Sequence, residues 1–197
     1  MERDYTPLKT APLQPATGYL KPSQLLPARV RLESPAIEVM TDLRTVAPVT
    51  IEPEADIDSA NTRMIVNRVR LLLVVDAHSH VAGLITATDI LGEKPMQVVQ
   101  HRGCRHEEVL VRDVMTPQGH LEVLSLSDVL AARVGHIVTS LKVSGRQHAL
   151  VADVDEEKCQ RVRGIFSITQ IARQLGLQIQ APELARTFAE IGAVLAH

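Results

Sequence analysis

The chain has 197 residues, a net charge of −2, 45% apolar residues and only four aromatics, Tyr5, Tyr19, Phe166 and Phe188. That charge sets up no field to attract nucleic acid or an anionic membrane, and no basic stripe interleaved with aromatics exists to stack on bases. The core must be aliphatic. Cys104 and Cys159 are too few for a disulfide framework and read as thiols of a reducing compartment. The start, Met-Glu-Arg-Asp-Tyr, leads into no apolar run, and the longest aliphatic run, Leu71–Val75, is too short to span a bilayer. The expectation is a cytoplasmic protein with no membrane contact.

Residues 1–35 form a Pro-rich N-terminal arm, with Pro7, Pro12, Pro15, Pro22, Pro27 and Pro35. This spacing forbids a long helix. Composition favours a disordered tail; Leu8, Leu13, Tyr19, Leu20, Leu25 and Leu26 are the anchors available if the arm docks. Pro48–Ile51 then reads as a short strand. Asp56–Val69 reads as a helix with Ile57, Ala60, Met64 and Ile65 on one face. Leu71–Val75 is too continuous for a half-exposed strand and reads as a buried central one. Ala77–His80 turns the chain into a strand over Val81–Ile85, and a helix starts near Thr86. Gly92–Leu110 is a polar stretch between units.

Further on, Ser127–Leu141 reads as one helix capped by Ser127, with Leu130, Val134, Ile137, Val138 and Leu141 along one stripe. Strands at His148–Val151 and Val162–Phe166 follow, then a helix through Ile171 and Leu175 stopped by Gly176. Pro182 opens a final helix with Leu184, Phe188, Ile191 and Leu195 on one side.

These elements occur twice. Val39-Met40-Thr41 returns as Val114-Met115-Thr116, 75 residues later, and Leu71–Asp76 returns as Ala149–Asp153. Gly83-Leu84-Ile85-Thr86-Ala87-Thr88-Asp89 returns as Gly164-Ile165-Phe166-Ser167-Ile168-Thr169-Gln170, 81 residues later. Asp76 to Gly83 is 7 residues and Asp153 to Gly164 is 11, so the second copy carries four extra residues, which a loop absorbs more readily than a core strand. A repeat of this kind fixes the architecture ahead of any single motif.

Each unit reads β-α-β-β-α. In its Met-Thr leader, its hydrophobic-Val-Asp strand end and its Gly-x-x-(Thr/Ser) helix start, the region 36–175 resembles a tandem pair of cystathionine-β-synthase (CBS) domains. The resemblance implies an α+β fold of two β-α-β-β-α repeats packed with pseudo-twofold symmetry. The expected boundaries are the arm (1–35), repeat 1 with its linker (36–110), repeat 2 (111–176) and a C-terminal helix (177–197). It implies a stand-alone CBS-pair protein that forms a homodimer. Such a module binds an adenosine-containing ligand (AMP, ADP, ATP or S-adenosylmethionine) in a cleft between repeats and regulates a partner protein.

Carried over residue by residue, the resemblance places ribose on Asp89 and Thr86. A carboxylate offers only acceptors and a diol offers two donors; Gly83 would let a ligand approach the backbone. Arg68 and Arg70 are the candidate phosphate ligands. Ser167, Gln170, Arg146 and His148 are the counterparts in a second cleft, expected to be weaker because Gln170 lacks the charge. Thr86-x-x-Asp89 is equally a helix capping box, and Ser167-x-x-Gln170 fits that pattern better still. The alternative function is therefore a ligand-free dimerisation or interaction scaffold. No Gly-x-Gly-x-x-Gly, phosphate loop or nucleophile elbow occurs, so neither catalysis nor a required cofactor is expected. His101-x-x-Cys104-x-His106 has residue types suited to zinc at an unfamiliar spacing, and no metal site is expected from it.

Overall fold

The computed structural model describes Gln14, Thr17 and residues 23–177. In chain order the elements are β1 (Thr41–Asp42), β2 (Thr50–Ile51), α1 (Ile57–Asn67), β3 (Leu71–Val75), β4 (Val81–Thr86), α2 (Ala87–Leu91), α3 (Lys94–Arg102) and α4 (Val111–Val114). They continue as β5 (Thr116–Pro117), β6 (Val123–Ser125), α5 (Leu126–Ala131), α6 (Val134–Ser144), β7 (His148–Val154), β8 (Gln160–Ser167) and α7 (Ile168–Gln174). The strands form two four-stranded sheets, ordered β2-β3-β4-β5 and β1-β8-β7-β6. In each, a parallel pair is followed by two antiparallel pairs.

The edge strands are exchanged. Thr41–Asp42, from the leader of repeat 1, pairs with Ile165 and Gly164 of repeat 2, while Thr116–Pro117, from the leader of repeat 2, pairs with Leu84 and Gly83 of repeat 1. The helical cores follow suit. Val39 and Met40 are buried with α6 and α7, whereas Val109, Val111 and Val114 are buried with α1 and α2. A third cluster, Leu71, Leu73, Leu84 and Leu150, lies between the sheets. The sequence repeats and the spatial halves are thus offset by one leader.

The glycines of the repeated Gly-x-x-(Thr/Ser) motif are explained by this exchange. A Cβ on Gly83 would sit 2.7 Å from Met115 Sδ and from the Thr116 carbonyl oxygen; one on Gly164 would overlap the Met40 thioether. Each motif glycine clears space for the methionine of the other repeat's leader. Asp42 adds a polar tie: it accepts from both terminal guanidinium nitrogens of Arg163, Nη2 at 2.9 Å, and from the Arg44 N–H at 2.7 Å. Burial pushes the Asp42 carboxyl up, but the Arg163 bonds and the Arg44 N–H outweigh it and hold it below the ordinary value.

The four extra residues do not form a longer loop. Asp76 caps the first hairpin turn, accepting from the N–H groups of His78 and His80, and Asp155 does the same for Glu157 and Cys159. Ser79 and Lys158 sit at the matching left-handed position, both at φ 63°. The counterpart of Asp76 is therefore Asp155, not Asp153, and the insertion lengthens both strands of the β7–β8 hairpin around an unchanged turn. Paired strands accept such an insertion because equal growth on both sides preserves the register.

Other expectations are corrected. The helix expected over 127–141 is two, α5 and α6, broken at the extended Ala132. The break lets arm carbonyls satisfy the first turn of α6: Val134 N–H donates to Ser34 and Gly135 N–H to Leu32, both at 2.9 Å, while Ala36 N–H donates to Ala132 at 3.0 Å. Ser125 rather than Ser127 precedes α5, and Leu130 is 63% exposed. On α1, Ile57, Ala60 and Met64 are buried as expected, but Ile65 is 67% exposed. The polar stretch 92–110 contains α3, opened by Pro95 and closed by Gly103 in the left-handed region, and Val109 within it is fully buried.

The described part of the arm docks on its own chain. Gln24 donates to the Met40 carbonyl at 2.9 Å and accepts from Asp42 N–H at 2.7 Å. Gln174 donates to Pro27 and accepts from Val30 N–H. Leu25 is 97% exposed. The other proposed anchors except Leu26, and the final helix, lie outside the described residues.

The methionine–glycine contacts give a direct test. Gly83→Ala should lower stability by about 1–3 kcal/mol, the usual cost of overpacking. Combining it with Met115→Ala should recover part of that loss. Urea midpoints of the two single variants and the double variant check this; simple additivity would show that Gly83 does not serve the methionine.

Candidate functional site

Strand β4 ends at Thr86, which caps α2. Thr86 Oγ1 accepts from Asp89 N–H at 3.4 Å, and Asp89 Oδ2 accepts from Thr86 N–H at 2.8 Å and from Thr86 Oγ1 at 2.6 Å. The capping box expected here is fully formed. Its counterpart is not: Ser167 makes no side-chain cap bond, and Gln170 makes long 3.5 Å contacts to the Val39 carbonyl and to Gln174.

Thr86 and Asp89 line a cleft of about 390 Å³. Its other wall comes from repeat 2, with Glu122 and then Arg146 and His148 at the start of β7. Gln147 bridges the walls, donating to Thr88 Oγ1 at 3.3 Å. Arg146 and His148, expected in a second cleft, thus face Asp89 in the first. Arg146 is exposed and lies 3.2 Å from Glu122 in a solvent-screened pair.

The remaining candidates lie elsewhere. Arg68 is exposed at the end of α1, in the left-handed region at φ 55°. Arg70 is also exposed and acts on the cleft through its charge on His148. Gly83 lies against Met115, and Ser167 and Gln170 do not line this cleft. His101, Cys104 and His106 do not converge; among the described residues the one grouping with metal-ligand geometry is Asp155, Glu157 and Cys159, on an exposed hairpin turn where the Asp155 carboxylate already holds Arg161.

Sequence reasoning missed Lys94. Its Nζ donates to Asp89 Oδ1 at 2.5 Å and to the Val114 carbonyl at 3.1 Å. The available signal was Gly92-Glu93-Lys94-Pro95, a helix stop followed by a helix start, which folds α3 back beside α2.

His148 is the unusual group of the cleft. It occupies in β7 the place of Leu71 in β3, since His148 pairs with Ser167 as Leu71 pairs with Thr86. Its Nδ1 is buried with no hydrogen-bond partner. Burial, then the charge of Arg70, lower its pKa to about 4, against a smaller opposing pull from Asp89.

A family model for the CBS domain matches residues 36–95. Among solved structures, an uncharacterised conserved protein from Pyrococcus horikoshii superposes with a TM-score of 0.54 at 18% identity, covering 78% of this chain and all of that one. CBSX2, a CBS-pair protein from Arabidopsis thaliana, in complex with AMP, superposes with a TM-score of 0.51 at 18% identity, covering 71% of this chain and 94% of that one. No curated protein matches the chain in sequence. The family-model match lies within the first repeat, and the described residues share the fold of CBS-pair proteins. No helix among the described residues is long and apolar enough to cross a membrane.

The depressed histidine has a signed consequence. Between pH 6.5 and about 4 the unfolded chain takes up a proton at residue 148 and the folded chain does not, so stability falls as pH drops through that window. The loss across the window is on the order of 2–3 kcal/mol. His148→Leu, which copies Leu71, should flatten that slope. Urea unfolding at pH 7.0 and 5.0 on both proteins checks it; equal slopes would mean that His148 titrates normally.

Proposed function

We propose that this protein is a regulatory module that binds an adenosine-containing ligand, AMP, ADP, ATP or S-adenosylmethionine, in the Asp89 cleft and passes the bound state to a partner protein. The observation that carries the reading is the convergence on one cleft of an acceptor pair, Thr86 and Asp89, with Arg146 and His148 from the opposite repeat. The first two suit a ribose diol and Arg146 suits a phosphate. The AMP complex of CBSX2, a protein of the same fold, supports the ligand class. The protein acts as a binding module rather than a catalyst, in the cytoplasm and as a homodimer. Arg70 contributes by its field, Arg68 is a weaker candidate, and the Ser167/Gln170 region is the lesser site.

A second reading, a ligand-free interaction scaffold, is favoured by one observation: the Asp89 carboxylate is already satisfied internally, by Thr86 and Lys94.

Calorimetric unfolding with each of the four ligands separates the readings. A ligand at 100 times its dissociation constant adds about 2.7 kcal/mol and should raise the midpoint by several degrees, at roughly 2–4 °C per kcal/mol. Asp89→Asn should abolish the rise. Arg146→Ala should diminish it for AMP and leave it unchanged for adenosine. No rise with any of the four ligands would leave the scaffold as the function.

A further inference from the structure

Asp89 and Gln170 are equivalent residues, and Val114 and Val39 are equivalent leader residues. In repeat 2 the Val39 carbonyl faces the Gln170 amide directly. In repeat 1 the Val114 carbonyl receives Lys94 Nζ, and Lys94 is held by Asp89. One uncharged residue in the second repeat is thus replaced in the first by a two-residue relay, Asp89 to Lys94, ending on the same leader atom. Asp89 lines the cleft described above, whereas Lys94 approaches it from outside that lining and Gln170 does not line it.

The relay also competes with a ligand. Both Asp89 Oδ2 bonds come from Thr86, and Lys94 occupies one side of Oδ1. A carboxylate has about four acceptor positions, so one remains. A vicinal diol donates two hydrogen bonds, and the carboxylate can accept both only if Lys94 leaves; a diol shared between Asp89 and Thr86 Oγ1 leaves Lys94 in place.

Resting on the binding reading above, we propose that Lys94 is a latch opened by a ribose diol: the diol displaces Lys94 Nζ from Asp89 Oδ1, and Lys94 then releases the Val114 carbonyl. What moves is defined by the bonds lost. Lys94 is the first residue of α3, and Val114 directly precedes the exchanged Met115 and β5. Arg102, at the far end of α3, is tied at 2.7 Å to Asp113 of that same leader. Opening the latch leaves the Arg102–Asp113 pair as the polar tie between α3 and the leader, beside the apolar packing of Val98 and Val99, so occupancy of the cleft is reported at the N-terminal turn of α3. Repeat 2 has the Gln170 contact and no latch.

The test is titration of AMP and of 2′,3′-dideoxyadenosine monophosphate into the wild type and Lys94→Met by calorimetry. Removal of a charge-assisted competitor should tighten AMP by about tenfold and leave the dideoxy nucleotide unchanged. Hydrogen exchange on the wild type should show faster exchange in the first turn of α3 when AMP is bound. Equal or weaker AMP binding by Lys94→Met, beside a wild type that binds, overturns the latch and leaves the binding reading standing. So does equal tightening of both nucleotides. No AMP binding by either protein overturns both. Should Lys94→Met fail to fold, Lys94→Gln, which keeps a donor for the Val114 carbonyl, gives the same comparison.

Discussion

The exchange of leaders is the constraint on which the rest of this molecule depends. Each sheet lacks its fourth strand until the other repeat supplies it, and each helical core lacks at least one valine and a methionine until the same leader arrives. Exchanged strands turn two small units, each too small to bury much surface alone, into one structure. The Met-Thr dipeptides and the motif glycines are two halves of one contact: a buried thioether needs a position with no side chain, and each repeat provides that position for its counterpart.

The same exchange sets the geometry of the cleft. β5 lies antiparallel beside β4, so the chain after Thr116 first leads toward the start of β4; Glu122 then lines the cleft with Asp89, while β7 brings Arg146 and His148 from the other sheet. The cleft is asymmetric in its polar groups. Asp89 with Lys94 stands where the second repeat has Gln170, and His148 stands where the first has Leu71. Pseudo-symmetric backbones carry different chemistry here because the sheets constrain the apolar positions of each strand and leave the strand ends free to vary.

Much of the fold was legible in the sequence because its signals are local or repeated. The unbroken Leu71–Val75 run forces a central strand, and duplicated motifs fix the topology of one half from the other. What was not legible depends on contacts distant in sequence. The break at Ala132 goes with hydrogen bonds to arm carbonyls at Leu32 and Ser34, some hundred residues away, so helical periodicity across 127–141 gave no hint of it. The placement of the insertion was missed because aligning the aspartates by the run before them matched Asp76 with Asp153, whereas the turn hydrogen bonds match it with Asp155. At the site, Thr86 and Asp89 were readable from a local motif. The assignment of Arg146 and His148 to a second cleft failed because strand order, not sequence spacing, decides which wall a residue joins.

The contact between Asp42 and Arg163 spans 121 residues of chain. On the ribosome, the first leader has no sheet to join until β8 has been made, whereas the first repeat can close its own sheet as soon as β5 follows. The order of assembly is therefore built into the connectivity. Repeat 1 completes itself early with the strand that begins repeat 2, and β1, synthesised first, is the last edge to find its place. Until then Val39 and Met40 are exposed apolar groups beside an open strand edge, the combination that chaperones recognise and that pairs wrongly between neighbouring chains.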